Sequence, residues 1–217
     1  MRSPGKILAV TSSTAVVGVA AALDGEIVAS EQVVTDRRHA EELTPMVASV
    51  LAAVGWSVGD VDTFAVDVGP GRFTGLRVGL ATVRTLALAV DAPVVGLTSL
   101  ELLAAEHAGP VCAVVDARRN EVFQQRFVDG VAVGDAAVGP ASEMAEHVVA
   151  GDLVIGDGAD RYVDAYGPHR TVAGRDPLAT TLARLAASRP AVPGPRVEPI
   201  YLRDADVQIN IKTRHNS

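Results

Sequence analysis

Apolar and polar positions change rhythm several times along the chain, and each change marks an element. From Lys6 to Val10 and from Ala15 to Leu23 apolar residues run almost without a break, separated by the polar turn Thr11 to Thr14. A third run, Glu26 to Val34, follows the pair Asp24-Gly25. Short apolar runs joined by such turns predict three antiparallel strands, because Asp-Gly accepts the positive φ angles of a tight hairpin. Leu43, Met46, Val47, Val50, Leu51 and Val54 then recur at three- and four-residue spacing, predicting a helix closed by Gly55. A buried strand (63–68), a glycine-rich loop, a helix from Gly75 to Val90, a strand (92–98) and a helix (99–108) complete a first unit.

At Gly109 the pattern restarts as strand, polar turn, strand, Asp-Gly turn, strand. Laying Asp24-Gly25 on Asp129-Gly130 places Val10 on Val115 and Thr11 on Asp116 without a gap. The second copy continues with a helix (142–150), a strand (152–158), a less regular stretch around Tyr162 and His169, and a helix (176–188). Four prolines between 190 and 199 then end regular structure, and the terminal stretch from Tyr201 is expected to be partly disordered. The expected organisation is a first lobe over 1–108, a second over 109–189, and a Pro-rich extended tail over 190–217. Two copies of three antiparallel strands, each followed by alternating helices and strands, form the α/β arrangement of the actin-like ATPase, sugar kinase and Hsp70 superfamily. Each of its duplicated lobes carries a mixed sheet with helices.

Composition sharpens this picture. Aromatic residues make up only 4% of a chain that is 48% hydrophobic, so the layers pack through small and branched side chains. A net charge of -7 opposes nucleic-acid binding by the chain alone, with the pairs Arg37/Arg38 and Arg118/Arg119 as local exceptions. Cys112 has no second cysteine to pair with, which favours a reducing, cytoplasmic setting. The basic start followed by apolar residues has the outline of a secretion signal. However, the polar turn Thr11 to Thr14 splits that stretch, and Asp24-Gly25 continues it as a hairpin. No uninterrupted apolar run is expected to span a membrane.

An actin-like phosphotransferase needs a carboxylate in the first-lobe turn to hold Mg²⁺ against the phosphates. The repeat puts Thr11 there, beside Ser12, while Asp116 holds the corresponding place in the second lobe. These three residues are the candidates for a residual nucleotide site; equally, the turn around Asp116 is explained as a polar hairpin. The five histidines lack the spacing of a metal pair on one helix face, so no metal site is expected. Nothing marks a nucleophilic serine. The loop from Gly69 also lacks the lysine of a phosphate-binding loop. Between Gly75 and Val90 the only charged residues are Arg77 and Arg84, so the helix is covered nearly all round. Gly75 and Gly79, with Thr82 and Val83 continuing the line, leave room for a second helix. Spacing alone leaves open whether that neighbour lies in this chain or in another.

The runs "ILAVTSST", "RRHAEELTPM", "GPGRFTGLRVGLATVRTLA", "VDARRNEVF", "GDGADRY" and "YLR" together resemble the bacterial TsaB (YeaZ) family over nearly the whole chain. Its motif loop falls on Gly69, Pro70, Gly71, Phe73, Thr74, Gly75 and Arg77. The resemblance implies a non-catalytic subunit of the machinery that attaches a threonylcarbamoyl group to the adenosine beside the anticodon of tRNA. It implies pairing with the catalytic relative TsaD through the first-lobe helices, here Leu43, Met46, Val47, Val50, Gly75, Leu76, Gly79, Thr82, Val83 and Leu86. The ATPase TsaE joins that pair, tRNA is reached through the complex only, and the same surface serves a homodimer when TsaD is absent. No cofactor of its own is implied; ATP or ADP and the metal belong to the partner subunits. Thr11 and Arg72 depart from the family, which commonly has Asp and a small residue there. The competing expectations are a glycoprotease-like peptidase, opposed by the missing metal pair, and a small-molecule kinase, opposed by the missing first-lobe carboxylate.

Overall fold

The computed structural model describes residues 5–35, 38–172 and 179–202. Arg37, positions 176–178 of the expected last helix and the terminal stretch from 203 lie outside the described residues.

The opening hairpins form where the pattern places them. Strands β1 (Lys6–Thr11), β2 (Val16–Leu23) and β3 (Glu26–Val34) run antiparallel, with Asp24 and Gly25 at positive φ between β2 and β3. Helix α1 (His39–Ala53) leads to β4 (Thr63–Asp67), which pairs parallel with the free side of β1. Helix α2 (Phe73–Val90) returns the chain to β5 (Pro93–Leu97), parallel to β4. Successive residues of β1 point to opposite faces, and each face has its own cover. Leu8 and Val10 meet α1 and α2 through Leu43, Met46, Val50, Leu76, Leu80 and Val83. Each such buried large aliphatic side chain contributes about 1.5–3 kcal/mol relative to exposure. Ile7 and Ala9 face the other way, into a second cluster of mainly small residues.

Helix α3 (Ser99–Ala104), capped by Thr98 and Glu101, stops short of the expected 108 and sits between the two halves. Its Leu102 joins the core of the first sheet, while Leu100 and Leu103 join that of the second. The second sheet repeats the plan with β6 (Pro110–Arg118), β7 (Glu121–Val128) and β8 (Val131–Pro140), all antiparallel. Helix α4 (Ala141–Glu146) precedes β9 (Leu153–Ile155), which lies parallel to β6. Val10 and Val115 thus occupy the same station in their sheets, on a strand with an antiparallel neighbour and a parallel one. The stretch that periodicity left undefined is two short helices, α5 (Asp157–Arg161) and α6 (Val163–Tyr166), and β10 (Arg170–Val172).

The chain then returns to the first sheet. Helix α7 (Ala179–Ala186), grouped by sequence with the second lobe, covers the outer face of β1 and β2 through Ala179, Leu182, Ala183 and Ala186. The strand β11 (Val192–Pro193) pairs with the edge of β5, giving the orders β11-β5-β4-β1-β2-β3 and β10-β9-β6-β7-β8. What sequence presents as a proline-rich tail is, over 192–202, a strap: Val197 is buried and the Ile200 amide donates to the Val68 carbonyl at 2.8 Å. Helix α2 comes nearest to a membrane-length run, although Arg77 and Arg84 interrupt it. Its 18 residues, with mean hydropathy 1.3, are long and apolar enough to cross a bilayer by length and composition. Here Gly75, Leu76, Gly79, Leu80, Val83 and Ala87 bury one side of it against the sheet, as in a core helix.

Candidate functional site

The two lobes bring their first turns to the same end of β1 and β6, and those turns are unlike. In the first lobe Thr11, Ser12, Ser13 and Thr14 are only 1–3% exposed. The motif loop and the start of α2 lie directly on them. Ser12 Oγ donates to the Gly75 carbonyl at 2.8 Å, and the Arg72 amide donates to the Ser13 carbonyl. His39, at the start of α1, donates from Nε2 to the Thr14 carbonyl at 2.9 Å, which fixes that nitrogen as the protonated one.

Glycine is what allows this approach. A Cβ at Gly71 would strike the Ser13 carbonyl, one at Gly75 the Ser12 carbonyl and the His39 ring, and one at Gly79 the Ser12 hydroxyl. The space that Gly75 and Gly79 open is therefore filled by the chain's own turn. Leu43, Met46, Val47, Val50, Leu76 and Val83 are buried in the chain's own core, and Thr82 and Leu86 are half-buried. What these helices present outward is a different set. On α1 it includes Ala40, Thr44, Pro45, Ala48 and Ala52, and on α2 Thr74, Arg77, Ala81, Thr85 and Leu88.

Beneath the motif loop lies an ionisable group that the motif does not announce. Asp67, 2% exposed at the end of β4, accepts from Ser99 Oγ at 2.7 Å, from the Gly69 amide at 2.8 Å and from Ser13 Oγ. Burial pushes its pKa above the ordinary carboxylate value, and the hydrogen bonds from Ser13, Gly69 and Ser99 pull the other way. Asp67 thus ties the first-lobe turn, the motif loop and the start of α3 into one unit. The buried strand expected over 63–68 runs through Asp67, and sequence reasoning missed it; a charge inside that strand is the signal that could have found it, and Ser13, Ser99 and His39 offer none.

Thr11 puts a hydroxyl where the repeat has the carboxylate of Asp116, and that hydroxyl has no partner among the described residues. A Cβ on Gly18 would come within 3.0 Å of that hydroxyl. Thr11 and Ser12, candidates for a residual nucleotide site, are thus enclosed by protein. Asp116 is committed as well. Its carboxylate accepts from the Arg118 amide at 2.8 Å and the Tyr162 hydroxyl at 3.1 Å, and Arg118 and Arg161 each approach within 3.5 Å. Arg118, Arg119 and Asn120 all have positive φ, so Asp116 organises an unusual turn. Thr11, Ser12 and Asp116 are each buried.

Cys112 offers no nucleophile at neutral pH, since burial and the nearby Asp152 push its thiol up to about 12. Among the described residues no group of three or more His, Cys, Asp or Glu side chains is arranged to hold a metal. In the motif, Gly69 and Pro70 are buried and Gly71 is half-buried, while Phe73, Thr74 and Arg77 are exposed. Sequence reasoning missed Tyr201, which the strap lays beside Phe73 with ring centroids 5.7 Å apart.

The comparisons with known proteins agree with this architecture. The family model described as TsaD, tRNA N6-adenosine threonylcarbamoyltransferase, matches residues 26–170. An uncharacterized protein of Mycobacterium tuberculosis is 36% identical over 184 residues, covering 84% of this chain and 83% of that protein. The Escherichia coli tRNA threonylcarbamoyladenosine biosynthesis protein TsaB is 33% identical over 138 residues, 60% of this chain and 59% of that one. The solved structure of YeaZ from Pseudomonas aeruginosa superimposes with a TM-score of 0.79 at 31% identity, covering 91% of this chain and all of the other. With the two-lobed actin-like fold, the glycine motif that seats α2 on the first turn, and these matches, the chain belongs to the TsaB/YeaZ family.

Proposed function

We propose that the chain is a non-catalytic partner subunit in tRNA threonylcarbamoyladenosine biosynthesis, docking through the outer faces of α1 and α2 to a TsaD-type catalytic subunit and supporting it. The observation that carries this reading is the closed first-lobe turn. In an actin-like enzyme that turn meets the phosphates; here Thr11 to Thr14 include no carboxylate of their own and are buried beneath the chain's own motif loop and the starts of α1 and α2. The fold keeps its frame while the position for its chemistry is packed shut. This argues against a small-molecule kinase, and the absence of a metal-holding group among the described residues argues against a metallopeptidase.

The docking assignment rests on what the helices leave outside. Ala48, Ala52, Ala81 and Ala89 are exposed, and Leu88 is 69% exposed. Small side chains with a few apolar ones let a second pair of helices approach closely. The same face serves a homodimer when the partner is absent. TsaE joins the pair, ATP and metal are held by the partners, and tRNA is engaged through the complex, in keeping with a net charge of -7 on this chain. The setting is cytoplasmic.

Size-exclusion chromatography with and without the TsaD of the same organism tests the assignment. The wild-type chain is expected to co-elute with TsaD. Ala81→Arg, an exposed helix position, is expected to stay folded within about 0.5 kcal/mol yet elute alone. A complex untouched by Ala81→Arg and by Ala48→Arg places the interface elsewhere. No complex at all, or ATP hydrolysis by the pure chain, refutes the reading.

A further inference from the structure

The chain contains four Phe, three Tyr and one Trp, and of these eight rings Phe73 and Tyr201 are the exposed ones, at 48% and 49%. These two rings touch, although far apart in sequence, and share one arginine. The Arg77 guanidinium carbon lies 3.7 Å from the Phe73 ring centroid, and its Nε points to the Tyr201 hydroxyl at 3.4 Å. The strap holds Tyr201 there. Arg84 Nε donates to the Val197 carbonyl at 2.9 Å, and the amide of Ile200, itself 37% exposed, is bonded to Val68.

We infer that Phe73, Arg77 and Tyr201 form the energetic centre of the docking surface, and that they receive a carboxylate flanked by an apolar side chain of the catalytic partner. The inference rests on the docking reading given above and adds which residues carry the affinity and what they meet. Two features point to that occupant. Among the described residues Arg77 meets Phe73 and Tyr201 and no carboxylate, in a chain with 26 acidic and 19 basic residues, so within that structure its charge is not neutralised and suits an acid. The cluster is also continuous with the exposed face of α2, where Thr74 and Ala81 flank Arg77. Exposed tyrosine and arginine held in place by their neighbours are the side chains that dominate interface energies, because little freedom remains to be lost on binding. The strap then completes the docking site: without 192–202 the ring of Tyr201 would be missing from it.

Isothermal titration of purified TsaD into the full chain tests this with Arg77→Glu, Tyr201→Ala and Ala81→Arg, each checked by its melting temperature. Arg77→Glu and Tyr201→Ala are expected to weaken binding at least about tenfold while melting like the wild type. Arg77→Lys keeps the charge and should recover part of the loss. If both variants bind as the wild type does while Ala81→Arg does not, the docking face stands and this inference falls. Should Ala81→Arg also bind normally, or the wild type not bind, the docking reading itself fails. A parallel titration with tRNA is expected to show no dependence on Arg77 or Tyr201; loss of tRNA binding by the free variants would make the cluster a nucleic-acid contact and overturn the assignment.

Discussion

At the scale of single residues the structure turns on Asp67. Its carboxylate collects Ser13, Gly69 and Ser99 in a site closed to water, and burial holds its pKa above 3.8. Between its unfolded and its raised folded pKa this group makes the folded chain bind more protons than the unfolded one. The stability contributed by this group is therefore fully present below the unfolded pKa and is lost as pH rises through the folded one. Asp67→Asn keeps the shape but offers one acceptor, so at acid pH it should be less stable than the wild type by about 1–3 kcal/mol. Because the amide does not titrate, that gap should narrow as pH rises above about 4. Urea midpoints of the two proteins across acid pH check this, and a gap independent of pH removes Asp67 as the source. In sequence Asp67 was one position of the buried strand 63–68, with nothing but its charge to mark its role. Its partners carried no signal, since Ser13 and Ser99 lie 54 and 32 positions away and pairing at such distance leaves no periodic trace.

At the scale of elements, α2 explains the glycine-rich motif. The loop and first turns of this helix lie on the buried first-lobe turn, and Gly71, Gly75 and Gly79 are the points of contact. Gly75→Ala should raise intrinsic helix propensity by about 1 kcal/mol and yet destabilise the protein, because its methyl group meets the Ser12 carbonyl and His39. The expected net cost is about 1–3 kcal/mol, a fall of about 2–4 °C in melting temperature for each kcal/mol. A variant that melts at or above the wild type would mean that the turn yields easily. The spacing of Gly75 and Gly79 announced a close approach, but not that the approaching group is the chain's own turn. Spacing measures the gap, not its occupant. Similar limits hid the course of the last elements. The apolar face of α7 was legible without the sheet it covers, and β11 is too short, at two residues, to show any alternation.

At the scale of the whole molecule, two sheets of the same plan differ at the turns that follow β1 and β6. The first is packed shut over Thr11 to Thr14; the second is tied down by Arg118, Arg161 and Tyr162 on Asp116. This duplication was legible in sequence because each copy repeats two turn signals at fixed distance, with Asp24-Gly25 matching Asp129-Gly130. The relation between the copies was less so: α3 is shared by both cores, and the strap carries Leu202 from the first lobe onto the core of the second. The outer faces of α1 and α2, with Phe73, Arg77 and Tyr201 at one end, are the surface proposed for docking. On the proposed reading this chain serves the reaction as a docked partner and not as a catalyst. The most direct measurement is the rate of threonylcarbamoyladenosine formation on tRNA in a reconstituted mixture of TsaD, TsaE, the carbamoyl donor and ATP, with this chain omitted, present, or present as Ala81→Arg. The account predicts product only with the wild-type chain, and none from the chain without TsaD. Equal rates without it, or with Ala81→Arg, would contradict the account.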